Sequence, residues 1–240
     1  MRGAYRVELD EVMGDLARLA RRAGQMMTDA STALWQADLR LAESVIYSCS
    51  EVTTALCPDL NHRCVRLLAL QAPVATELRL VVAAMDAVGH LRRMGKLAGH
   101  IAKITRMKHP LVALPEDLEP VFARMAHLAT TLAHDAASAM ERPDPHWAEQ
   151  LVSVEQEMAT LHCQIFQRLG AKEWSHGVEQ AVDAALVGRY YARFADHAAA
   201  IVRQGRFIVT GHHPSADTPW FPRKHSRPGG HREAEVDVVR

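Results

Sequence analysis

An excess of charge of one sign is missing from this sequence: 28 Lys and Arg residues stand against 28 Asp and Glu. A general nucleic-acid binder carries a basic excess that displaces counterions from phosphates, so no nucleic-acid partner is expected. Aromatic side chains make up only 5% of the chain, while Ala, Leu, Arg and Met abound, the bias of an all-helical protein. Cysteine is limited to Cys49, Cys57, Cys64 and Cys163, with no C-x-x-C pair. These four read as reduced apolar fillers rather than a disulfide or metal framework. No apolar run reaches the roughly 18 residues that a membrane-spanning helix needs. Residues 1–8 carry no apolar signal core, so the protein is expected in the cytoplasm. Phosphate-cradling glycine loops and nucleophile elbows are also missing, and nothing nominates a catalytic centre.

What the sequence does contain is itself, twice. The stretch from Ala84 through Arg93, Gly95 and Ala98 to Ile101 returns one hundred residues later as Ala184, Arg193, Ala195, Ala198 and Ile201. An apolar residue follows the arginine each time, Met94 and Phe194. Upstream, Ala33, Asp38, Glu51 and Cys57 match Ala139, Asp144, Glu157 and Cys163 at one constant offset. Such self-similarity marks an internal duplication.

Each copy reads as three helices. In the first, Leu9, Val12, Leu16, Leu19, Ala23 and Met26 recur at helical steps, predicting a helix over 7–37. Ala37-Asp38 offers a turn and a cap. A second helix is expected over 39–70, kinked or broken at Pro58, and a third over 74–108, with Pro73 suited to its first turn. Residues 109–115 form the linker. The second copy predicts helices over 116–141, 146–169 and 178–210, with Gly211 as the final stop. Residues 1–110 and 111–211 are thus expected to be two antiparallel three-helix bundles related by a pseudo-two-fold axis. Residues 212–240, rich in Pro, Gly, His and charge, are expected to be a disordered tail.

The segment Gln71-Ala72-Pro73-Val74-Ala75-Thr76-Glu77-Leu78-Arg79 resembles the head of the third helix in the PhoU family, where a Q-P-x-A-x-D-L-R pattern stands. Leu78-Arg79 matches, and Glu77 takes the place of the acid. Residues 90–102 and 190–202 resemble the family's later E-R-I-G-D-type segment, closest to its actinobacterial branch. The resemblance implies a cytoplasmic, non-enzymatic adaptor, possible at the membrane only through its partners. Those partners are the ATPase of the phosphate-specific ABC transporter and a phosphate-sensing histidine kinase, with a homodimer as the working form. It implies negative control of phosphate uptake and phosphate-starvation signalling. Arg79, Arg93, Arg193 and Asp196 are the residues carried over as partner surface, Arg79 and Arg193 having helix-tying as their alternative role.

Some members of that family hold iron or zinc clusters on an E-x-x-x-D pair in each repeat. Here those positions are Arg92 and Lys96 in the first copy, and Ala192 and Asp196 in the second. Three of the four carboxylates are gone, so no cofactor is expected. An iron or zinc ion, if held, would use Asp196 and His197 with His90 or His100. In exchange, Arg93, Lys96, His100 and Lys103 step along one helix face, flanked by Arg92 and Arg106. This is either a solvated face or a surface for an anionic partner. Glu173-Trp174-Ser175-His176 has the E-x-x-H spacing of di-iron proteins, but one copy does not make such a site; a loop ion pair is expected. A metal-binding helical module and a diverged PhoU paralogue without phosphate control are the two rival readings.

Overall fold

The computed structural model describes residues 2–144 and 146–212. The described residues are all-helical, with no strand. Helix α1 (Arg2–Gln36) starts five residues earlier than the periodicity predicts. Tyr5, buried under the first turn, extends the apolar face toward the N-terminus. Ala37 takes a left-handed φ of 49° and turns the chain. Asp38 then caps α2 (Leu39–Glu51): its Oδ1 accepts the Leu41 N–H at 3.0 Å, satisfying one of the free amides of the first turn.

The expected break at Pro58 is a π-helical turn just upstream. Val52–Leu56 forms the π segment, and α3 (Cys57–Gln71) carries Pro58 in its first turn. The Cys57 N–H reaches back five residues to the Val52 carbonyl. Proline has no N–H and its ring crowds the carbonyl four residues earlier. The wider turn lets the helix continue past that clash instead of ending. Thr53 and Thr54 donate their hydroxyls to the carbonyls of Cys49 and Ser50 at 2.9 and 2.8 Å. Pro73 does not occupy the first turn of the next helix. Ala72 is left-handed, Val74 is extended, and α4 runs over Ala75–Lys108, so Pro73 lies in the connection.

In the second copy a 3₁₀ turn, Glu116–Leu118, precedes α5 (Glu119–Glu141). Then come α6 (Trp147–Leu169) and α7 (Gly177–Thr210). Gly211 stops α7 with φ +77°, a conformation that costs any other residue. Beyond His212 the expected tail, with its histidines, lies outside the described residues.

The four helices α1, α4, α5 and α7 pack around one contiguous core, with α2–α3 laid against α1 and α4, and α6 against α5 and α7. Each repeat contributes two of these four helices, so the two repeats share one core. Alanines make this possible. Ala17, Ala20 and Ala23 on α1 and Ala129, Ala133 and Ala136 on α5 are fully buried. A Cβ on Gly24 would lie 3.1 Å from that of Ala133, so the two backbones approach closely. Tyr191 is fully buried, and its hydroxyl meets Ser31 Oγ at 2.6 Å across the repeats.

Candidate functional site

Helices α4 and α7 run antiparallel, and the repeated segments meet on them. Arg79 near the start of α4 donates from Nε to the Ile208 carbonyl of α7 at 2.9 Å and from Nη2 to Thr76 Oγ1 at 3.0 Å. It satisfies a carbonyl that the last turn of α7 leaves without an intrahelical partner. At the other end Lys108 pairs with Glu179 and, at 2.8 Å, with Asp183. Between these brackets lie Met94 and Phe194, which correspond in the two copies and are both buried.

A polar relay crosses the middle. His197 on α7 is buried, and its Nδ1 lies 3.0 Å from His90 Nδ1 on α4. His90 Nε2 lies 3.3 Å from Asp86 Oδ2, which also accepts the Gln204 side-chain N–H at 2.5 Å. Neutral tautomers satisfy the chain: His197 Nδ1–H donates to His90, and His90 Nε2–H donates to Asp86. Burial, with the nearby His90, Arg193 and Arg93, pushes His197 down to about 3, so its imidazole is neutral at physiological pH.

Asp196, its neighbour in sequence, faces another way. Its Oδ2 accepts from Arg193 Nη1 at 3.0 Å, and the side chain is mostly buried. Burial pushes its carboxyl up to about 7. Arg193 and Arg189 oppose that rise and Glu155 adds to it. Glu155 is itself clamped by Arg203 at 2.5 and 2.6 Å. Arg93 is exposed and its charge is felt at His197. Thus Arg193 is joined to Asp196, Arg93 and Arg193 both act on His197, and Arg79 braces the end of the helix pair.

The metal-ligand set proposed from sequence is divided by this geometry. His90 reaches His197, Asp196 reaches Arg193, and His100 stacks on Tyr190 with ring centroids 5.2 Å apart. Among the described residues no three His, Cys, Asp or Glu side chains are arranged as a metal-ligand group, the His197–His90–Asp86 chain included. At the positions of the E-x-x-x-D pattern, Arg92 turns to the Cys57 thiol, Lys96 is exposed and Ala192 is fully buried. The E-x-x-H histidine, His176, pairs with Asp117 at 3.1 Å, while Trp174 Nε1–H donates to the Gly177 carbonyl at 2.8 Å. Burial raises the thiols of Cys49 and Cys57, and that of Cys64 to about 11, which makes them poor nucleophiles.

Sequence reasoning missed Asp86, Gln204, Glu155 and Arg203. A signal existed for two of them. Asp86 stands four residues before His90, and Gln204 seven after His197, each on the face of its histidine. The other large feature, a recess of about 730 Å³, lies elsewhere, between α1 and α3. Its Asp15 is taken by Arg18 and, at 2.6 Å, by Arg63.

Comparison with known proteins agrees with this architecture. The PhoU domain family model matches residues 16–105 and 122–204, once in each repeat. Among curated relatives, phosphate-specific transport system accessory protein PhoU homolog 1 of Mycobacterium leprae is 42% identical over 218 residues, which is 91% of this chain and 98% of that protein. PhoU homolog 2 of Mycobacterium tuberculosis is 42% identical over 214 residues, 89% of this chain and all of that protein. The crystal structure of PhoU from Streptococcus pneumoniae superposes with a TM-score of 0.78 at 21% identity, over 88% of this chain and 99% of that one. PhoU from Pseudomonas aeruginosa superposes at 0.77, also at 21% identity, over 87% of this chain and the whole of that one. Likeness in sequence over nearly the full length, with the family model matched once in each repeat, places this chain in the PhoU family.

Proposed function

We propose that this chain is a negative regulator of phosphate uptake and phosphate-starvation signalling. It acts as a non-catalytic adaptor, docking on the ATPase of the phosphate-specific ABC transporter and on a phosphate-sensing histidine kinase, as a homodimer at the cytoplasmic side. The observation that carries the reading is the 42% identity to phosphate-transport accessory proteins along almost all of their length. The geometry suits the role. Two antiparallel helices of 34 residues each give a stiff face about 50 Å long. Arg93, Arg193 and Asp196 lie near its centre and Arg79 locks its end.

The test is genetic and direct. The gene is deleted in its host, and a phosphate-starvation promoter is followed in high phosphate. The expected result is a promoter that switches on, falls silent with the wild-type gene, and stays on with Arg93→Glu. A promoter that stays silent favours the second reading, a paralogue without phosphate control, which the replacement of family acids by Arg92, Lys96 and Ala192 motivates. Deleting any other PhoU-type gene of the same host in addition decides between redundancy and divergence.

A further inference from the structure

Asp86, His90, His197 and Gln204 form one polar group between α4 and α7, and the duplication shows whether packing requires it. One hundred residues away the corresponding positions hold Leu186, Tyr190, Leu97 and Ile104. Those positions manage without a carboxylate, an imidazole or an amide, so the helix pair itself does not call for them. The polar group is also incompletely satisfied. Gln204 is only 3% exposed. Its Nε2 donates to Asp86 Oδ2 at 2.5 Å, while its Oε1 is buried with no hydrogen-bond partner. Such an atom calls for an explanation. Inside helices the backbone N–H groups are already taken by carbonyls one turn back, so a bare buried oxygen finds no donor there. A buried amide NH₂ fares better, because a helix carbonyl has a second lone pair to share. The charge of Asp86 thus holds the Gln204 amide in the orientation that its surroundings favour less.

We propose that Asp86, His90 and Gln204 bind a divalent transition-metal ion of the zinc type, one per chain. Asp86 and His90 stand four residues apart on one face of α4, a spacing that lets two side chains share an ion. Gln204 reaches the same carboxylate from α7. His90 Nε2 lies 3.3 Å and the Gln204 amide 2.5 Å from Asp86 Oδ2. Ligands held about 2.0–2.2 Å from zinc stand roughly 3 Å from one another, so an ion fits once the amide draws back slightly. The ion takes Asp86 Oδ2, His90 Nε2 and, after the amide turns over, Gln204 Oε1. The histidine relay reverses in step. His90 carries its proton on Nδ1 and donates it to His197 Nδ1, 3.0 Å away, which orients the ligating imidazole. Burial keeps His197 neutral and therefore able to accept. The Asp86 side chain is 47% exposed, which leaves a way in and room for water on the ion. One imidazole, one carboxylate and one amide oxygen, with no thiolate, suit zinc-type ions rather than calcium or copper(I). The site is separate from the E-x-x-x-D positions, and it joins the two repeats instead of recurring in each.

The probe is Zn²⁺, titrated into the untagged full chain against a chromogenic chelator. The same titration is made on a full chain carrying His212→Ala, His213→Ala, His225→Ala and His231→Ala, which removes adventitious ligands. The expected result is one ion per chain in both, with Mg²⁺ unable to compete. Binding is expected to weaken at least about tenfold on Asp86→Leu and on Gln204→Ile, residues that the other copy carries at these positions, and to be unchanged on Asp196→Ala. Gln204→Glu puts a second carboxylate in place of the amide and is expected to bind about tenfold more tightly, a gain that a merely structural glutamine would not give. Zn²⁺ is expected to raise the urea midpoint of the wild type and not that of Asp86→Leu. Circular dichroism confirms that each variant is folded. No ion bound at micromolar Zn²⁺, two ions per chain, or unchanged affinity on Gln204→Ile overturns the proposal. Loss of the ion with the histidine replacements at 212–231, or with Asp196→Ala, overturns it as well. If Asp86→Leu or Gln204→Ile does not fold, Gln204→Glu decides: affinity that stays level or falls there overturns the site.

Discussion

His197 and Asp196 are adjacent in sequence and titrate against each other. His197 is held down to about 3 by burial and the charges around it, so the folded chain binds fewer protons there than the unfolded one. Its contribution is complete above the unfolded value near 6.5 and is lost as pH falls toward 3. Asp196 is pushed up to about 7 by burial. Its contribution is complete below the unfolded value near 3.9 and is lost as pH rises through 7. The two slopes oppose each other between pH 4 and 6.5, and single substitutions unmask them. His197→Gln is expected to remove about 2–3 kcal/mol of acid sensitivity between pH 6.5 and 4, read as unfolding midpoints in urea across that range. If the variant and wild type show parallel pH profiles, His197 is not buried as a neutral base. Asp196→Asn imitates the protonated carboxyl. It is expected to stabilise the chain by about 1–3 kcal/mol at pH 8 and by little at pH 4; a gain of equal size at both values contradicts the raised carboxyl.

Helices α4 and α7 contain glycines that sequence alone does not distinguish. Gly89 has open space around the position of a Cβ, whereas on Gly99 a Cβ would sit 2.8 Å from Cys49 Sγ and 2.9 Å from its Cβ. Gly89→Ala is therefore expected to stabilise by about 0.5–1 kcal/mol through helix propensity. Gly99→Ala is expected to cost about 1–3 kcal/mol by forcing α2 away from α4. Denaturant midpoints at neutral pH measure both, and two changes of the same sign refute the close approach. The contrast shows where reading the sequence stops. The Asp38 cap and the Gly211 stop were legible because each is settled within a few residues of chain, and the long apolar periodicities located all six expected helices within a few residues. Pro58 announced a disturbance but not its form, because a proline fixes only its own φ and missing donor, while the π turn also depends on how Val52 meets Gly95 across the interface. The relay from His197 to Asp86 and Gln204 was hidden for a related reason. Spacing places residues on a face, but only the antiparallel register of α4 and α7 decides which faces meet.

At the scale of the whole molecule, the two repeats are separate in sequence but share an interior. Packed alone, residues 1–110 would expose the buried alanine row of α1, which α5 covers, and the side of α4 that lies against α7. The apolar area so exposed is worth about 25 cal/mol per Å², which is large beside the marginal stability of any domain of that size. The expected consequence is that the halves unfold together. Trp35 lies in the first repeat against Phe122 of the second, with ring centroids 6.2 Å apart, and Trp174 sits at the entrance to α7. Two variants, each keeping one of these tryptophans and carrying Phe at the other tryptophan positions, report the interface and the second repeat separately. Their fluorescence transitions in urea are expected to coincide with each other and with the loss of helical circular dichroism. The isolated 1–110 chain is expected to be helical yet to melt without a sharp transition and to bind apolar dyes, as a core open on one side does. Two separated transitions, or a sharply melting first repeat, would show instead that the duplication left two domains that only touch. An adaptor built that way could hinge between its partners. One built on a shared core must carry them as a rigid body, so a partner bound to one end of the α4/α7 face is felt at the other end only through the antiparallel pair and the His90–His197 contact at its centre.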